Sequence, residues 1–114
     1  MQFTVLFYSL VALAITALAL PTGDTRVIQL RLWGEPGCTE ENLGELGLYQ
    51  STLNQCTTFL GSDTIRSIST EFVIAGYAAQ FFTDSDCQDG QQNVSTTGCL
   101  NGEAPYVSYK LVAN

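Results

Sequence analysis

The sequence contains no histidine, and only four of its 114 residues are basic: Arg26, Arg31, Arg66 and Lys110. Without histidine and without more than one lysine, the usual bases that activate a serine or cysteine nucleophile are missing, which argues against hydrolytic chemistry of that kind. The four cysteines, Cys38, Cys56, Cys87 and Cys99, include no C-x-x-C pair. With no histidine to complete a ligand set, a zinc site is excluded on spacing and on partners. Eleven carboxylates oppose the four cations, for a net charge of −7. That balance speaks against nucleic acid or anionic lipid as a partner, since both are bound chiefly through cationic side chains.

One long apolar run is present, from Met1 to Ala19, ending in small residues at Ala17 and Ala19. It reads as a secretory signal peptide with cleavage before Leu20, because no basic stop-transfer cluster follows it. Residues 20–26 read as an N-terminal tail that ends in a lone arginine, and residues 27–114 as a single secreted domain. An even number of cysteines in an oxidising compartment predicts two disulfides.

The chain then breaks into short β-like segments separated by turn chemistry. Val27–Trp33 alternates Ile28, Leu30 and Leu32 with Gln29 and Arg31, the period of a half-buried strand. Gly34-Glu-Pro-Gly37 ends it, and Thr39–Asn42 is short of a helix because Gly44 and Gly47 follow. Short strands are expected at 46–49, 55–60, 65–69 and 71–74, and the apolar run 72–82 is expected to be one long or bulged strand. Thr83–Gly90 reads as a turn, 91–95 as a short strand, 96–98 and 100–103 as turns, and 106–112 as the last strand. Together these segments indicate an all-β sandwich or barrel.

The segment Leu30–Cys38 matches Ala79–Cys87: Leu32 and Trp33 fall on Phe81 and Phe82, Glu35 falls on Asp84, and both segments end in cysteine. Two pseudo-repeated units follow, about 27–70 and 71–114. Three disulfide connectivities exist. The repeat favours one staple within each half, Cys38–Cys56 and Cys87–Cys99, with Cys38–Cys87 plus Cys56–Cys99 as the rival pairing.

An aromatic-ended strand running into an acidic turn, repeated in the second half, resembles the βγ-crystallin-like Greek-key fold. The pattern Trp-Gly-x-x-Gly-Cys at Trp33–Cys38 and Phe-Thr-Asp-x-x-Cys at Phe82–Cys87 is similar to that of small secreted cysteine-rich fungal proteins related to yeast killer toxins. The resemblance implies a disulfide-stabilised sandwich of two Greek keys acting outside the cell, in a toxin-like, effector-like or structural role.

Candidate sites are few. Gln92–Thr97 is the segment nearest to a crystallin-type Ca²⁺ motif, but it offers mostly neutral oxygens where a hard cation wants charged ones. No metal or other cofactor is therefore assigned. Asn93-Val-Ser95 is an N-glycosylation acceptor, which would make the chain a glycoprotein. Asp84, Asp86 and Asp89 are read as turn formers. A hydrolase acting on glycans would need two carboxylates across a cleft, for which Glu35 or Asp84 with Glu103 are the candidates. Among the aromatics, Trp33 and Tyr49 are the residues assigned to a binding surface. The expected function is non-catalytic binding by a monomeric secreted protein to an extracellular target, a cell-wall glycan or a cell-surface protein. The alternatives are a Ca²⁺-stabilised structural protein and a small glycan hydrolase.

Overall fold

The computed structural model describes residues 24–114; the signal-peptide reading of 1–19 lies outside the described residues. Eight strands form two four-stranded antiparallel sheets: β1 (Arg26–Trp33), β2 (Asn42–Tyr49), β3 (Thr57–Thr58), β4 (Ile65–Val73), β5 (Tyr77–Phe82), β6 (Gln92–Val94), β7 (Gly98–Tyr106) and β8 (Ser108–Ala113). Among the described residues a 3₁₀ turn occupies Gln50–Thr52. The sheet orders are β2-β1-β4-β7 and β3-β8-β5-β6. In each half the second, first and fourth strands are neighbours, while the third strand crosses to the other sheet. The expected all-β class is what the chain forms.

The core lies between the sheets. Alternation in β1 buries Ile28 and Leu30 against Leu48 of β2 and Ile68 of β4, and the second sheet adds Ala79, Phe81 and Leu111. Tyr106 meets Phe81 edge-on, with ring centroids 6.1 Å apart. Burying side chains of this size is worth roughly 1.5–3 kcal/mol each.

Several expectations about segments need correction. The run 72–82 is not one strand. Gly76, at φ 96°, allows a tight turn in which the Tyr77 amide donates to the Ile74 carbonyl at 3.2 Å, so the chain leaves one sheet and enters the other. The halves thus divide at residues 74–76. The turns expected at 96–98 and 100–103 fall largely within strand β7, and the strand expected at 106–112 is split at Val107 between β7 and β8; as an edge strand β7 tolerates Pro105, which has no ladder hydrogen to give. Strand β2 starts at Asn42, earlier than expected, and β3 is only two residues long. The segment 20–26 is not a free tail throughout. Arg26 begins β1, the Thr25 carbonyl accepts from the Gln50 amide at 2.9 Å, and an Asp24 carboxylate oxygen accepts from the Ser51 amide at 2.9 Å.

Candidate functional site

The two matched turns fold back over the outer faces of their sheets in the same way. Cys38 and Glu41 in the first, and Cys87 and Gly90 in the second, all take positive φ, at 57°, 64°, 56° and 68°. Beneath each turn lies a serine with no solvent exposure, Ser67 on β4 and Ser108 on β8. The Ser67 hydroxyl donates to the Glu35 carbonyl and the Ser108 hydroxyl to the Asp84 carbonyl, both at 2.6 Å. The alignment of Glu35 with Asp84 is thus reproduced in three dimensions. In the first turn Ser67 also accepts from the Cys38 amide at 3.0 Å. In the second, the disulfide sulfur of Cys87 sits 3.2 Å from the Ser108 hydroxyl oxygen.

The disulfides are Cys38–Cys99 and Cys56–Cys87, which overturns the favoured pairing Cys38–Cys56 with Cys87–Cys99 and its rival Cys38–Cys87 with Cys56–Cys99. The cause is the crossing of the third strands. Thr58 pairs with Ser108 as Asn101 pairs with Ser67, so Cys56 and Cys99 occupy equivalent places, each delivered to the other half's turn. Each bridge ties a folded turn to the edge strand that the opposite half contributes. The symmetry of the repeat is kept, but between halves and not within them.

Asp84 is committed to its turn. One carboxylate oxygen accepts from the Asp89 and Gln88 amides at 2.9 and 3.0 Å, and the other from the Asp86 amide at 3.2 Å. These backbone donors, Asp89 first, hold its carboxyl below the ordinary carboxylate value of 3.8. A group so held is a poor proton donor near neutrality. Glu35 and Asp84 lie on opposite sheets. Glu103 lines a polar hollow of about 720 Å³ with Thr83, Gly90, Gln92, Asn101 and Tyr106, and it is the one carboxylate among the described lining residues. Within the segment compared with a Ca²⁺ motif, the Gln92 side-chain oxygen already accepts from the Tyr106 hydroxyl at 2.8 Å. No group of three or more carboxylate, cysteine or histidine side chains suited to a metal occurs among the described residues.

Trp33 and Tyr49 are not brought together. They end opposite sides of the β1–β2 ladder, roughly 24 Å apart at the usual strand rise. Trp33 is half-buried, its indole N–H donating to the Ser69 hydroxyl at 3.0 Å, and Tyr49 is 39% exposed. Tyr106 and Tyr109 belong to the interior, and burial pushes both hydroxyls up from the ordinary value. Asn93 is exposed on β6, an edge strand, its side-chain oxygen accepting only from Gln91 among the described residues, at 3.1 Å.

The residues that sequence reasoning missed are Phe59 and Leu60. They lie just past β3, where Phe59 stacks on Tyr109 with ring centroids 4.8 Å apart, and Leu60 is 92% exposed. With Leu32, Leu46 and Tyr109 they line an apolar hollow of about 230 Å³ between the sheet edges, with Glu45 at its rim. The polar hollow in the other half shares three of its positions, with Asn101, Gly102 and Glu103 standing where Thr58, Phe59 and Leu60 do. An apolar pair directly before Gly61-Ser62-Asp63 was the available signal, since a turn of that composition holds its neighbours at the surface. Among the described residues no helix is long and apolar enough to cross a membrane. No family model, no curated protein and no solved structure matches the chain.

Proposed function

We propose that this is a secreted, disulfide-stabilised binding protein of the βγ-crystallin-like Greek-key type, related to the small fungal killer-toxin-like proteins and acting without catalysis on an extracellular target. The observation that carries the binding role is the apolar hollow with Leu60 standing almost fully exposed at its lip. Exposed leucines are ordinary singly, but one placed beside an unfilled apolar hollow marks an interaction site. The exchange of third strands and the buried serine under each folded turn support the fold assignment. Two disulfides in a domain this small support secretion. The exposed sequon at Asn93 suits a glycan that leaves the hollow open, because Asn93 lies on β6, at the edge of its sheet opposite to β3.

The test is retention of cell-wall polysaccharides and of intact cells on immobilised protein, with Leu60→Asp as the matched variant. Leu60 makes little contact with the fold, so the variant keeps its structure. Retention by the wild type and its loss in the variant are expected. Equal retention by both proteins, or none by either, refutes the role of the hollow.

A further inference from the structure

A sheet edge presents unpaired backbone donors and acceptors that will take up another strand unless something prevents it. Four edges exist here: β2 and β7 on one sheet, β3 and β6 on the other. Three of them are short or carry proline. Strand β3 has two residues and β6 has three, with the sequon at Asn93, while β7 carries Pro105 and a break in register between Ile65 and Ser67 of its partner. Strand β2, Asn-Leu-Gly-Glu-Leu-Gly-Leu-Tyr, is eight residues long, has neither proline nor lysine, and keeps a regular ladder with β1 from Gly44 to Leu48, between register breaks at Leu43 and near its C-terminal end. Its Glu45 and Leu46 also line the apolar hollow. An added strand would therefore run past an opening sized for about one large side chain.

Carboxylates outnumber cations around this edge, where Arg26, packed on Gly47, and Arg31 are the cations. Between Arg31 and Arg66 the chain has no cation and five carboxylates: Glu35, Glu40, Glu41, Glu45 and Asp63. Arg31 is occupied, since it pairs with both Glu45 and Glu71. A second copy of the chain would bring the same negative field and the same net charge of −7 against itself. A cationic strand is complementary.

We infer that β2 is the receptor edge for strand addition by an extended, basic segment of a partner protein, one large apolar side chain of which fills the hollow beside Leu60. Backbone pairing along β2 would supply affinity, and the hollow would select the side chain. This rests on the binding role proposed above and names its partner.

The experiment uses an end-capped eight-residue peptide that alternates Lys with Val around a central Phe. Two controls accompany it, one with Glu for each Lys and one N-methylated on alternate backbone nitrogens. Binding is read by fluorescence anisotropy, and amide exchange protection is read along β2. The Lys peptide is expected to bind and to protect the amides of β2. Its affinity should fall with added salt, as for a charge-steered contact, and should fall by at least about tenfold in Leu60→Asp. The Glu and N-methylated peptides should not bind. Binding of the N-methylated peptide at equal strength, or protection confined elsewhere, overturns strand addition and leaves the hollow's binding role standing. Failure of every peptide, while cells or polysaccharide are retained through Leu60, likewise overturns only this inference. Silence in both assays overturns both readings. A homodimer in sedimentation that buries β2 would also overturn it.

Discussion

Replacing Ser67 with alanine tests whether the buried serine under each folded turn holds that turn in place. The hydroxyl donates to the Glu35 carbonyl at 2.6 Å and accepts from the Cys38 amide at 3.0 Å, so its removal orphans two backbone groups at once. Each such bond has a net worth of about 1 kcal/mol, giving a loss of about 2 kcal/mol for Ser67→Ala. Ser108→Ala removes a single bond, that to the Asp84 carbonyl, and should cost about 1 kcal/mol. For a domain this small these losses correspond to melting points lower by roughly 8–16 °C and 4–8 °C. Ser62→Ala, on an exposed loop, should stay within about 0.5 kcal/mol of wild type. Calorimetry gives the melting points, and urea titration at constant slope gives the free energies. Exchange of the Cys38 amide should quicken in Ser67→Ala alone. An equal cost for the two serines, or a larger one for Ser108, would refute the idea that the count of bonds to the turn sets its stability.

Three further outcomes follow from the bridges and the turns. Peptide mapping without reduction should yield Cys38–Cys99 and Cys56–Cys87, and any other linkage refutes the crossed-strand account. Because these bridges span 61 and 31 residues, chain entropy makes paired Cys→Ala removal of the first costlier by about 0.6 kcal/mol. Asp84 has a folded-state pKa below its ordinary value of 3.8, so its stabilisation is complete above that value and is lost as pH falls through the folded one. The stability advantage of wild type over Asp84→Ala should therefore shrink as pH drops below 3.8, read from urea midpoints at each pH. An advantage independent of pH would show that the carboxylate's charge is not what holds the Asp86, Gln88 and Asp89 amides.

What was legible in the chain is what local chemistry determines. The turns at Glu35–Cys38 and Asp84–Cys87 recur because acidic and glycine-rich turn residues act within a few positions, and the alternation in β1 follows from its own seven or eight residues. The misreadings are all cases in which tertiary context decides. Ile74-Ala75-Gly76 looks like the middle of an apolar strand, and only the need to change sheets makes it a turn. Gly98, Gly102 and Pro105 look like turn residues, yet an edge strand accepts them. The disulfides depend on where β3 and β7 go, and a crossing between sheets leaves no mark in the spacing of cysteines. Trp33, an aromatic at the end of its strand, reads from the sequence as a binding residue, while its indole is spent on Ser69. Leu60, an ordinary residue type, was overlooked because exposure is a property of the fold.

Duplication also says where function sits. Two halves that share turns, buried serines and bridges are bound to those features by stability, since losing either copy unbalances the same sandwich. Function is free to occupy positions at which the copies differ. The sharpest difference lies just past β3 and its equivalent in β7, where Phe59 and Leu60 occupy the positions that Gly102 and Glu103 hold in the other half. The edges follow the same division, with β2 eight residues long and its counterpart β6 reduced to three residues with a sequon. An apolar hollow and the longer edge on one side, against a polar hollow and a short edge on the other, leave the two flanks chemically unlike, and the proposed binding role rests on the first.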